Sequence, residues 1–211
     1  MAAPGRGFFE GGAGARGFVS MGGGKTEERM RILVLGAGAV GGYYGGRLVE
    51  AGADVTFLVR PRRAQNLAQR GLILRSPLGD VERKVKTALA GEVREGFDLV
   101  LLSSKAYDLD GAIEAIVPAV GPRGAILPLL NGINHMAVPS GRFGDERVLG
   151  GVCGIGAVLE PSGEVHHTSE VQWLAFGVVS GERSARCETI ARIAAVSEID
   201  AALSGDIIQA T

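Results

Sequence analysis

The 211-residue chain is poor in the features that mark several functional classes. Aromatic residues make up only 5% of it, so the stacking platforms that hold unpaired bases are not expected. Its formal net charge is −1, which gives no long-range attraction for nucleic acid or an anionic membrane surface. The only two cysteines, Cys153 and Cys187, lie far apart with no CxxC pairing. That usage argues against a disulfide framework or a cysteine zinc site, and it fits reduced thiols in a cytoplasmic setting. No apolar run approaches the ~18 residues that a bilayer requires. The longest stretch without Asp, Glu, Lys or Arg, residues 124–141, is broken by Pro128, Asn131, Asn134, His135 and Pro139.

Residues 1–29 are glycine-rich with scattered charge and lack the apolar segment of a secretory signal. Gly24-Lys25-Thr26 has the ending of a phosphate-binding loop. The first glycine of that motif would fall at Val19, however, and no strand pattern precedes it. The segment is expected to be a flexible extension, with Met21 and Met30 as candidate internal starts. The whole chain is 46% apolar and 21% charged, and it is long enough for one well-buried core.

What the sequence does hold is a dinucleotide-binding opening across residues 31–60. The apolar run of residues 32–35 leads straight into Gly36, Ala37, Gly38, Ala39, Val40 and Gly41, a GxGxxG pattern, and a helical stretch follows. In such a turn Gly36 makes the sharp exit from the strand. Gly38 lets the backbone approach a pyrophosphate, and Gly41 lets the helix pack closely on the sheet. The pyrophosphate would rest on free N–H groups at the positive end of the helix. A second strand pattern over residues 54–59 ends at Arg60, with Arg62 and Arg63 just beyond. NAD sites usually carry an acidic residue there, for the ribose hydroxyls. A guanidinium instead suits a 2′-phosphate, so the expected cofactor is NADP(H).

Residues 61–70 read as a short helix opened by Pro61. Residues 71–75 and 81–87 read as strands around a turn at 76–80. Residues 97–102 form the continuous apolar run of a buried parallel strand, with Ser103-Ser-Lys105 as its exit. Residues 108–119 have helical spacing, residues 125–130 read as a strand, and a weak helix follows Asn131-Gly132. From 148 to 177 short strands are expected around Glu160-Pro-Ser-Gly163, then a helix over 183–195. The fold class is therefore α/β, a Rossmann-type, doubly wound and mostly parallel sheet with a short β-rich extension. Its domain spans residues 30–198. Ligands of such sheets bind beyond the carboxyl ends of the strands. That rule gathers residues 36–41, Lys105 (a cation) and Asn131 (an amide) into one candidate site. The pair His166-His167 is not expected to hold a metal, because adjacent strand residues point to opposite faces.

Three segments, Gly36-Ala-Gly-Ala-Val-Gly-Gly-Tyr-Tyr-Gly-Gly-Arg-Leu48, Ser104-Lys-Ala-Tyr-Asp-Leu109 and Leu129-Leu-Asn-Gly132, together resemble the 2-dehydropantoate 2-reductase (ketopantoate reductase) family. The resemblance runs over roughly residues 31–210. It implies reduction of ketopantoate to pantoate with NADPH, on the route to pantothenate and coenzyme A. It also implies that Gly36, Gly38 and Gly41 cradle the diphosphate and that Arg60 holds the 2′-phosphate. Lys105 and Asn131 would lie near the nicotinamide ribose and the substrate end of the cleft.

The chain departs from the family in length. Family members carry a second, all-helical domain that brings a lysine general acid, on a Trp-x-Lys segment, and the substrate-holding side chains. No Trp-x-Lys occurs here, and Trp173 lies in a strand pattern. Residues 199–211 look like a linker and the start of that domain, so a truncated chain of little or no activity is expected. The partner is a small keto acid, and an exposed docking face could also pair two copies as a homodimer. A related NADP-dependent 2-keto acid reductase and a non-catalytic NADP-binding module stay open as alternatives.

Overall fold

The computed structural model of the chain describes residues 30–94, 96–103, 109–129, 136–181 and 184–207. The expected opening is present: β1 (Arg31–Leu35), a turn, α1 (Ala39–Glu50) and β2 (Asp54–Leu58). Helix α2 spans Pro61–Arg70, bounded by Pro61 in its first turn and by Gly71 at φ +76° after its last. Then come β3 (Leu72–Arg75), β4 (Val81–Arg83), β5 (Lys86–Ala88), β6 (Phe97–Leu102), α3 (Leu109–Ile116) and β7 (Val120–Pro128). Helix α4 (Ala137–Phe143), β8 (Leu149–Leu159), β9 (Val165–Val178), α5 (Ala185–Val196) and β10 (Ala201–Leu203) complete the order.

The first sheet has the order β5-β2-β1-β6-β7, parallel throughout. Ala88, Leu58, Leu35, Leu102 and Pro128 pair in turn across it, so all five strands end in one row. Strand order runs one way from β1 through β2 to β5 and the other way through β6 to β7, which places the switch point between β1 and β6. Alternate side chains of β1 feed two cores. Ile32 and Val34 join Tyr44, Leu127 and Leu174 on one face, while Leu33 and Leu35 join Ile113, Ile116 and Ile126 on the other. Burial on both faces is what their unbroken apolar run requires.

The second sheet has the order β10-β9-β3-β4, with β8 paired to β9. Helix α1 lies between the two sheets, buried from Gly41 to Leu48. Its four paired glycines explain how it fits. A methyl on Gly41 or Gly45 would strike Ser103 or Phe57 on the first-sheet side. On Gly42 or Gly46 it would crowd Val165 or Leu72 of the second sheet.

Several expectations are corrected. Residues 81–87 are two strands: β4 pairs antiparallel with β3, and β5 crosses to pair with β2. The short strands expected over 148–177 are two long ones, of 11 and 14 residues, closed by a turn in which the Gly163 N–H bonds the Glu160 carbonyl at 2.8 Å. At three glycines of β8 neighbours occupy the Cβ positions: Ile207 at Gly150, Leu127 at Gly151 and the Trp173 indole at Gly154. Strand β7 starts at Val120, not 125, and Pro128 is tolerated as the last residue of an edge strand. Within 199–211, Ala201–Leu203 adds β10 beside β9. The extension 1–29 lies outside the described residues.

Candidate cofactor-binding site

The turn after β1 is built as its sequence demands. Gly36 sits at φ +92°, a left-handed conformation that a side chain would strain, and its N–H donates to the Leu58 carbonyl at 2.9 Å. Gly38 caps α1 without a side-chain hydrogen bond, and no acidic residue occupies the first helical turn. The first N–H groups of α1 therefore have no carboxylate of their own first turn to bind them. A Cβ on Gly38 would meet nothing within 4 Å, so the backbone there borders open space. Gly41 is the opposite case, with its Cβ position already filled by the Gly36 carbonyl oxygen and the Ser103 hydroxyl.

Ser103 closes the switch point. Its hydroxyl donates to the Leu35 carbonyl at 2.7 Å, tying the ends of β1 and β6 together. This residue was legible only as part of a strand exit. Its tie to Leu35 spans 68 positions of sequence and leaves no local signal.

A groove of about 680 Å³ opens above this row of strand ends. It is lined by the glycine turn, by Arg60 and Arg63, and by the apolar Leu58, Leu89, Ala90 and Ala112. Arg60 is exposed at the start of α2, where the sequence places it. Lys105 and Asn131 lie outside the described residues. The strands that lead to them, β6 and β7, end at Leu102 and Pro128 in the same row as Leu35.

Arg63 is drawn into the structure. Its Nε donates to the Ala37 carbonyl at 3.0 Å, and its Nη1 donates to the Gly163 carbonyl at 2.7 Å and to Asn66 Oδ1 at 2.6 Å. Nη2 is buried with no hydrogen-bond partner among the described residues. Burial lowers the Arg63 pKa from its ordinary value, yet guanidinium stays charged at any physiological pH. Asn66 and Arg70 extend the same seam to the β8–β9 turn. Asn66 Nδ2 donates to the Ser162 carbonyl at 3.1 Å, and Arg70 pairs with Glu164 at 2.7 Å. The spacing 63, 66, 70 puts all of them on one helical face.

The other polar cluster is structural. Arg47, 5% exposed, donates to Ser76 Oγ at 3.0 Å and the Gly79 carbonyl at 2.9 Å. Ser76 Oγ lies 2.9 Å from His167 Nδ1, and His167 Nε2 lies 3.1 Å from the Val171 carbonyl. The Ser76 oxygen already accepts from Arg47 and from the Leu78 N–H, so its own proton goes to Nδ1 and the imidazole proton sits on Nε2. His166 turns to the other face, 3.5 Å from Glu164. Among the described residues, no group of three or more His, Cys, Asp or Glu is placed to hold a metal ion, and no helix is long and apolar enough to cross a membrane.

Comparison with known proteins bears on the family and the fold. Residues 32–181 match the family described as Ketopantoate reductase PanE/ApbA. The uncharacterized oxidoreductase YkpB of Bacillus subtilis is 42% identical over 178 residues, 84% of this chain and 58% of that protein. The crystal structure of 2-dehydropantoate 2-reductase from Geobacter metallireducens superposes with a TM-score of 0.80 at 33% identity, covering 86% of this chain and 60% of that one. D-Mandelate dehydrogenase, solved with NADH and anilino(oxo)acetate, gives 0.75 at 26% identity over 83% of this chain and 57% of its own. The chain thus spans less than two thirds of the length of these relatives. It belongs to the ketopantoate reductase PanE/ApbA family.

Proposed function

We propose that this chain is the NADPH-binding part of a 2-keto acid reductase, with 2-dehydropantoate as the substrate. One observation carries the reading: the glycine turn and Arg60 share a single groove at the switch point of a fully parallel sheet. Gly36, Ala37, Gly38, Ala39, Val40 and Gly41 would seat the diphosphate against the N-terminus of α1. Open space at Gly38 is where such a group fits. Leu58, Leu89, Ala90 and Ala112 offer apolar walls to a planar base. Arg60 would hold the 2′-phosphate through charge-assisted hydrogen bonds.

When bound in this groove, NADPH would supply a hydride for the keto carbon. Negative charge then develops on the carbonyl oxygen and has to be met by a proton or a fixed cation. Lys105 and Asn131 are assigned to the nicotinamide ribose and the substrate end of the cleft. The general acid is assigned to a helical part of the family plan that these residues do not include, so turnover by this chain alone is expected to be very low. Losing a general acid costs roughly 10²–10⁴ in rate, and lost substrate positioning adds to that. An NADPH-oxidation assay with ketopantoate tests it. Turnover at the rate of a full-length reductase would move the acid role to Lys105 or to a partner copy.

A second reading is a reductase of another 2-keto acid. It is favoured by the 42% identity to an oxidoreductase of unassigned substrate and by the likeness to D-mandelate dehydrogenase. A panel of 2-keto acids with branched and aromatic side chains, assayed with a full-length relative, separates the two.

A further inference from the structure

We propose that Arg63 is a positioning residue for the dinucleotide, serving NADPH and NADH alike. The inference rests on the cofactor reading above and goes beyond it, because the glycine pattern and Arg60 say nothing of this side chain.

Arg63 holds the glycine turn from helix α2. Its Nε binds the carbonyl of Ala37, the residue between Gly36 and Gly38. Fixing that carbonyl fixes the peptide plane just before Gly38, and with it the direction of the neighbouring N–H groups. The same guanidinium is held in turn by the Gly163 carbonyl and by Asn66. The turn is therefore braced against the β8–β9 hairpin, 100 residues further along the chain.

The charge matters as much as the brace. The described partners of Arg63 are all uncharged oxygens, namely two backbone carbonyls and an amide. Such acceptors offset the cost of burial without cancelling the positive charge, whereas a carboxylate would cancel it. Arg63 lines the groove together with Gly36, Ala37 and Gly38. A half-buried, uncancelled cation at this place attracts any dinucleotide diphosphate, with or without a 2′-phosphate. Gly163 fits the same design. A methyl there would strike Asn66 Oδ1 and Arg63 Nη1, so the hairpin turn leaves room for the guanidinium.

The test uses the 211-residue chain with NADPH and NADH titrated separately by fluorescence at several salt concentrations. Arg63→Ala should weaken both cofactors by about tenfold or more, leave their ratio near the wild-type value, and flatten the salt dependence of each. Arg63→Lys should keep the salt dependence and recover only part of the affinity, since an ammonium restores charge but not the fork. Gly163→Ala should also weaken both cofactors, although that residue lies on the hairpin and not in the groove lining. It keeps the idea testable if Arg63→Ala fails to fold. Wild-type affinity in Arg63→Ala overturns the proposal. Loss of NADPH binding alone overturns it too, and makes Arg63 a second ligand of the 2′-phosphate. A wild-type chain that binds neither cofactor refutes the cofactor reading itself, before Arg63 is in question.

Discussion

Gly41 and Ser103 meet across the end of the first strand so closely that a methyl on the glycine would strike the serine oxygen. The Ser103 hydroxyl has no freedom to retreat, because it is bonded to the Leu35 carbonyl at 2.7 Å. The glycine turn and the β1–β6 switch point are thus one packed unit.

Gly41 and Gly38 should respond to alanine in opposite ways. Gly41→Ala overpacks a closed site and should cost about 1–3 kcal/mol. For a chain of this size that is roughly 2–4 °C of melting temperature per kcal/mol. Gly38→Ala meets nothing within 4 Å, so its stability cost should stay under about 1 kcal/mol, the range of a changed helix cap. Its methyl would instead stand where the diphosphate is proposed to lie, so cofactor affinity should fall sharply. Thermal melts and cofactor titrations on both variants check the pair. A large stability loss in Gly38→Ala with intact binding would remove the diphosphate from that position.

The seam between α2 and the β8–β9 turn should give a signature at acid pH. Hydrogen bonds from Arg70 and His166 hold the Glu164 pKa below its ordinary value of 4.5. A carboxylate with a depressed native pKa contributes stability that is fully present above the unfolded value. That contribution is lost as pH falls through the lower native one. Wild-type protein should therefore lose more melting temperature between pH 6 and pH 3 than Glu164→Gln, with the difference confined to pH below about 4.5. Parallel acid limbs in the two proteins would show that the pair contributes nothing.

Both thiols should be silent in the native protein. Burial raises the pKa of Cys153 and of Cys187, and each is almost fully enclosed. At pH 8 a thiol reagent should label them only as fast as the fold opens, and labelling should accelerate steeply with denaturant. Immediate labelling of either cysteine would contradict the burial described here.

The parts of this fold carried by local signals were legible in the sequence. Pro61 and Gly71 bound α2 at the residues expected, and the run from Ile32 through Gly41 produced strand, turn and helix in order. The parts set by distant contacts were not. The glycines of β8 look like interruptions until Ile207, Leu127 and Trp173 are placed against them. Residues 81–87 look like one strand because nothing local says that Val81–Arg83 pairs with β3 while Lys86–Ala88 pairs with β2. In the candidate site, Arg60 stands where a strand-end rule puts it. The role of Arg63 depends on a carbonyl in a hairpin that the sequence brings in only at Gly163. A polar face at 63, 66 and 70 was the only trace of it.

The most direct test of the central claim is a fluorescence titration of the chain with NADPH and with NADH, repeated on Arg60→Ala. A lost charged hydrogen bond to phosphate is worth roughly 1.5–3 kcal/mol, about ten- to a hundredfold in affinity. The wild-type chain should bind NADPH more tightly than NADH. Arg60→Ala should lose that factor for NADPH and hold its affinity for NADH. Equal losses for both cofactors, or a wild-type chain that binds neither, would contradict the account.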